Sequence, residues 1–281
     1  MNFTLRISCS NFPLLSSHLI YDSMFRFTKR RKFILSSFLL TAGLSYIQFG
    51  QPANRYLAIS LLSFLTIPLF WWSLSEGLTG AVWLMSWILP FFFTIGIGLF
   101  YFLLPSSLLL AIPVIVLYFF GLYALFLSEN IFSVASLRTI QLYRSASAVS
   151  FILTLFISFL LYDTVFSFRL PFYLNGLFVF LISLFLFIHG IWSVALEEKV
   201  SVKIVYYSAL FSLCLAETAF VLSFWPVTIA LGSLFLTTLV YILLGLSQAY
   251  LSGRLFKKTT REYLLVGIAV FVILLLYTSW G

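Results

Sequence analysis

Few side chains in this 281-residue chain are of a type and setting that could do chemistry in an apolar phase. Glu217 is the clearest. It sits in a long apolar run, about 3 residues past the middle, hence about 5 Å from the midpoint at a helical rise of 1.5 Å per residue. An ionisable group at such depth is costly and is by default a functional hypothesis. Its helical face carries Leu210, Leu213, Cys214, Phe220, Val221 and Phe224, whereas Ser208, Ser212, Ala216 and Ala219 form a small-residue stripe on the other side. No polar stripe accompanies Glu217, so a protonated or hydrogen-bonded packing residue is expected ahead of a proton carrier. His189 lies about 9 Å inside the midpoint of another run by the same rise. That is too far from Glu217 for a direct bond, and His189 is expected to snorkel or to pair with a loop group. Glu129 and Arg144 bound a more polar stretch. If this stretch is helical, Glu129, Asn130, Ser133, Gln141 and Arg144 share one face, opposite Ile131, Phe132, Ala135, Leu142 and Tyr143. That pattern reads as a helix extension lying in the membrane interface with a solvated polar face. Gln248 stands near the end of a further run. Glu217, His189, Glu129, Gln248 and Arg144 together are the candidate intramembrane polar site.

Enzyme motifs fail. The chain has no H-E-x-x-H, no G-x-S-x-G, no Gly-Lys phosphate loop and no paired acidic motif for magnesium and diphosphate. The nearest approach is to the membrane-embedded prenyl-protein proteases, whose pattern is E-E-x-x-x-R followed later by F-x-x-x-H. Here Phe185 to His189 precedes Glu197-Glu198, Val202 stands in place of the Arg, and no His follows, so the pattern is not met. The two cysteines, Cys9 in the N-terminal tail and Cys214 in an apolar run, imply neither a disulfide framework nor a metal cluster. No catalytic residue, metal or cofactor is expected. A membrane enzyme would require two or three of Glu129, His189, Gln248 and Arg144 to converge in one pocket.

The elements that must position these groups follow from composition. With 62% hydrophobic and 9% charged residues, the chain has too little polar surface to cover a soluble globule. A mean hydropathy of +1.12 means that apolar side chains must face hydrocarbon as well as one another. Inside lipid every backbone polar group must be paired within its own segment or in a closed barrel, and these apolar runs far exceed the roughly 10 residues of a barrel strand. An all-α integral membrane protein is the consequence.

Measured against the roughly 20 residues that a span needs, nine candidate spans emerge. They run from Phe33 to Phe49, Tyr56 to Ser75, Ala81 to Leu104, Leu108 to Ser128, Ser145 to Tyr162, Phe172 to Trp192, Ile204 to Trp225, Val227 to Tyr250 and Tyr263 to Trp280. Pro68, Pro90 and Pro113 lie inside spans and are expected to kink them. With the N-terminus inside, fourteen of the 16 Lys and Arg fall on the cytoplasmic side, and only Arg55 and Arg169 fall outside. An excess of that kind sets orientation. The N-terminus is therefore expected inside and the C-terminus outside. Trp71, Trp72, Trp83, Trp192, Trp225 and Trp280 fall near span ends, as an aromatic belt requires, while Trp87 does not. The net charge of +8 reads as topology and not as a nucleic-acid surface.

Residues 1–32 read as a basic cytoplasmic tail, and 33–281 as a single multi-span domain. Met24 opens a short basic and then apolar stretch that reads as an alternative start. The Arg30-Arg31-Lys32-Phe33-Ile34 stretch is similar to a twin-arginine export signal, but no small-residue cleavage site follows, so the segment is taken as an uncleaved span.

The inward-running spans end alike, in Leu74-Ser75-Glu76-Gly77, Leu127-Ser128-Glu129-Asn130 and Leu246-Ser247-Gln248-Ala249, with His189 at the corresponding place of the sixth. Ile191-Trp192-Ser193-Val194-Ala195 also echoes Ile131-Phe132-Ser133-Val134-Ala135, 60 positions earlier. This suggests helical hairpins repeated in tandem. The leading expectation is a non-enzymatic component of a cell's inner or plasma membrane, with the lipid bilayer and another membrane protein as partners and no nucleic acid. The alternatives are a small-solute or lipid transporter built from the hairpins and, third, a membrane enzyme. Several buried polar residues near one depth on facing helices would favour transport.

Overall fold

The computed structural model describes residues 28–50, 54–74, 80–104, 107–135, 141–197 and 200–278, all helices and connecting turns with no strand among them. The helices are α1 (Lys29–Gly50), α2 (Arg55–Leu74), α3 (Ala81–Met85), α4 (Ile88–Tyr101), α5 (Leu108–Ala135), α6 (Tyr143–Ser167), α7 (Phe172–Ala195), α8 (Val202–Leu222), α9 (Ile229–Leu251) and α10 (Lys257–Leu276). Among the described residues, nine helical segments are long and apolar enough to cross a membrane, with α3 and α4 counted together as Val82–Tyr101. The number of spans agrees with the hydropathy reading.

Several boundaries do not. The third span is broken at Ser86 and Trp87, because Pro90 has no N–H to give to the Ser86 carbonyl and its ring crowds that oxygen. Pro68 and Pro113 stay inside continuous helices. The expected interfacial segment from Ser128 to Arg144 does not form as one unit. Instead α5 continues through Glu129 to Ala135, and α6 begins at Tyr143. Residues 136–140, with Arg138, lie outside the described residues, as do the N-terminal tail to 27 with Cys9 and Met24, Glu76, Gly77, Pro105, Lys199 and Trp280.

Two apolar clusters hold the bundle together. One gathers α1, α2, α4, α5 and α6 around Leu40, Phe70, Phe93 and Phe126; the other gathers α3 and the ends of α5 and α6 with α7, α8 and α9 around Phe132, Trp192, Leu215 and Leu244. Close approach depends on glycine at the first. A Cβ on Gly121 would overlap the ring of Phe93, which stacks on Tyr118. Hydroxyls within the helices are satisfied by the preceding turn, as where Ser63 donates to the Ile59 carbonyl and Thr154 to that of Ser150, each at 2.8 Å. By contrast, α10 packs mainly on α9, and Leu274 is its one buried residue among those described.

The charges are segregated by this packing. Lys29 to Lys32, Arg144, Lys203, Arg254, Lys257, Lys258 and Arg261 stand at one end of the bundle, called here the basic end. Arg55 and Arg169 stand at the other end, where Arg55 lies over the Phe102 ring. Trp71 stacks on Trp83 at the basic end with ring centroids 5.0 Å apart. Trp192 is not a belt residue. It is fully buried against His189.

Candidate functional site

The last turns of α7 gather three other helices. His189 Nε2 lies 2.8 Å from Glu129 Oε1 of α5, and both side chains are fully buried. Gln248 of α9 donates through Nε2 to the Gly190 carbonyl at 3.0 Å. Tyr143, at the start of α6, donates its hydroxyl to the Ser193 carbonyl at 2.9 Å. The carbonyls of the last helical turns lack intrahelical partners. Here a neighbouring side chain reaches that of Ser193, and the left-handed Leu196 closes the helix with its N–H on the Trp192 carbonyl at 2.8 Å. Phe132 and Trp192 flank the imidazole at 6.5 and 6.1 Å between ring centroids and exclude water from it.

The Glu129 and His189 pair is saturated on one side only. Glu129 Oε2 and His189 Nδ1 are both buried without a hydrogen-bond partner. An uncompensated charge in such a place is costly. Two arrangements carry no net charge, a carboxylate with an imidazolium and a carboxylic acid donating to a neutral imidazole, and they differ by the position of one proton. The site can therefore hold a proton between two helices while staying neutral.

These positions correct the sequence reading of both residues. Glu129 is not on a solvated interfacial face, and His189 neither snorkels nor meets a loop group; each meets the other through one polar atom. The two positions are 60 residues apart, the spacing of the echo. Phe132 and Trp192, the flanking rings, are another such pair. Glu129, His189 and Gln248 thus stand near one depth, while Glu76 lies outside the described residues.

Arg144 is brought near Gln248 but not to the buried pair. Both line a groove of about 780 Å³ at the basic end, between the start of α6, the end of α9 and the start of α10. Glu217 stays apart from all of these. It is exposed on the side of the bundle and lines a shallow groove with Cys214, Phe235 and Phe271. Of the two expected forms, the hydrogen-bonded one is not seen: among the described residues Glu217 makes no hydrogen bond. It is also 5 residues short of the end of α8 at Leu222, roughly 8 Å along the axis.

Sequence reasoning missed a polar cluster at the opposite end. Asp163, one residue past the expected end of the fifth span, lies inside α6 and is largely buried, with Ser233 Oγ 3.5 Å away. Asn175 donates to Ser223 Oγ at 3.1 Å beside a cavity of about 300 Å³ that Arg169 and Gly232 also line. Those partners are separated by 48 to 70 positions, so no local pattern announced them. Among the described residues no three His, Cys, Asp or Glu side chains are grouped to hold a metal ion.

Residues 74–277 match the model of a family described as a protein of unknown function (DUF5656). The match takes in every span from α3 to α10 and all five candidate site residues, and it begins at the last residue of α2. No curated protein and no solved structure matches the chain.

Proposed function

The chain belongs to the DUF5656 family, and from that premise we propose that it is a non-enzymatic, multi-pass component of a cell's inner or plasma membrane whose role is to move a small solute or lipid. In this reading the basic end faces the cytoplasm and the C-terminus lies outside, as the charge segregation favours. The observation that carries the transport role is the set of polar side chains at one depth on three helices, the buried Glu129 and His189 with the half-buried Gln248. Buried ionisable groups at such depth are rare and mark pathways and proton relays. The helix trio α6, α7 and α9 adds support, since it carries a cavity at each end, one beside Asn175 and Gly232 and one beside Ser147 and Gln248. Between them the seam is closed by Tyr162 and Ser183, whose hydroxyls are 2.8 Å apart. A chain of repeated hairpins suits such a seam. An enzyme is disfavoured because Glu129, His189 and Arg144 do not converge in one pocket.

Thiol labelling tests the transport role. In a background with Cys9 and Cys214 replaced by alanine, single cysteines at Ser147, Ser223 and Ser183 are exposed to a charged, membrane-impermeant methanethiosulfonate in sealed vesicles of either orientation. Ser147→Cys is expected to react from the inside and Ser223→Cys from the outside. Ser183→Cys is expected to react more slowly, from at least one side, as the seam opens. A folded Ser183→Cys protein that stays unlabelled from both sides would make the seam static and end the transport reading.

A further inference from the structure

We propose that the groove at the basic end is a binding site for the phosphate headgroup of an anionic lipid. Among the described residues, Arg144 and Arg254 are its charged lining residues, and no acidic side chain lines it. Neither guanidinium is held in an ion pair among the described residues, so both are free to receive an anion. Gln248, Ser147 and Thr259 add polar groups on three walls. The starts of α6 and α10 both line the groove, and neither N-cap residue makes a side-chain cap hydrogen bond.

The shape selects a lipid over a free ion. Because α10 packs on α9 and not extensively on α6, the groove runs between α6 and α10. Its floor includes the rings of Phe151 of α6 and Tyr263 of α10, each packed beside Tyr241 of α9, at 6.0 and 4.7 Å between ring centroids. Gly245 makes that floor, since a Cβ there would overlap the Tyr263 ring. The arginines stand at the helix ends, and Phe151 lies 8 residues into its helix, about 12 Å deeper at 1.5 Å per residue. A charged mouth above an apolar floor matches a phosphate with acyl chains and would be wasted on inorganic phosphate. Basic pockets between spans are a known form of headgroup recognition, with each Lys or Arg contributing roughly a fivefold preference near the surface. The assignment rests on groove chemistry and holds whether or not the seam opens.

The test is lipid retention by the full chain. Protein extracted from bilayers of equal phosphatidylglycerol and phosphatidylcholine is washed in mild detergent, and the retained lipid is measured by mass spectrometry. The parent is expected to prefer phosphatidylglycerol by about 30-fold, Arg144→Gln and Arg254→Gln by about fivefold each, and the double variant not at all. Lys203→Gln, at the same end but outside the groove, is expected to match the parent. Thermal unfolding in phosphatidylcholine alone checks that each variant is folded. Equal retention of both lipids by the parent, or full preference in the folded double variant, overturns the site. If inorganic phosphate at millimolar concentration displaces the lipid and stabilises the protein as well as phosphatidylglycerol does, the groove reads a free anion and the lipid assignment falls. Thiol labelling of Ser183→Cys is unaffected by any of these outcomes, so the two readings fail separately.

Discussion

Replacing Glu129 and His189 singly and together separates a coupled buried pair from two independent polar residues. In Glu129→Leu the imidazole loses its one partner while remaining sealed by Phe132 and Trp192. A buried polar group left without a partner costs about 1 to 3 kcal/mol, and a stranded charge about 3 to 5 kcal/mol. Each single leucine variant is therefore expected to lose roughly 3 kcal/mol. In the double variant nothing polar is stranded, and two further unpartnered atoms, Glu129 Oε2 and His189 Nδ1, disappear as well. The double variant is expected within about 1 kcal/mol of the parent, since replacing both partners by apolar groups is often close to neutral. A coupling energy of several kcal/mol follows, more than a hundredfold in the unfolding equilibrium. Unfolding by sodium dodecyl sulfate in mixed micelles, followed by loss of helical circular dichroism, measures all four proteins. Additive single losses, agreeing within about 0.5 kcal/mol, would refute the direct pairing of these side chains.

Glu217→Gln is expected to leave unfolding within about 0.5 kcal/mol of the parent, because an exposed carboxyl with no described partner loses nothing with its charge; a loss above 2 kcal/mol in the same assay would show a partner. Reporter fusions after Gly50, Pro105, Arg169 and Pro226 are expected outside and those after Gly77, Arg138, Lys199 and Lys257 inside, and reversed signals at two adjacent loops would break the orientation drawn from fourteen of 16 basic residues. Gly121→Leu is expected to destabilise by about 1 to 3 kcal/mol through overlap with Phe93, whereas Gly253→Ala, in a turn with open space around it and a φ of 65°, is expected to cost no more than about 1 kcal/mol.

By itself the sequence determined the class of the protein, the number of candidate spans and the end at which the basic residues collect. Those properties depend on windows of about 20 residues, because a backbone in hydrocarbon must pair its own polar groups within each helix, whatever the neighbours are. The rotational setting of each helix was not legible. Lipid and helix interiors are both apolar, so the hydropathy of a face does not tell whether it meets protein or bilayer. For that reason Glu217, deep in its run, gave the strongest signal and proved to lie on the lateral surface. Glu129 and His189 looked interfacial and terminal, yet became the buried pair. Only the packing of α5 against the end of α7 brought together two residues 60 positions apart. The same packing extended α5 past Ser128, since a helix whose Glu129 is paired with His189 and whose Phe132 is buried has no reason to stop at its first polar residue.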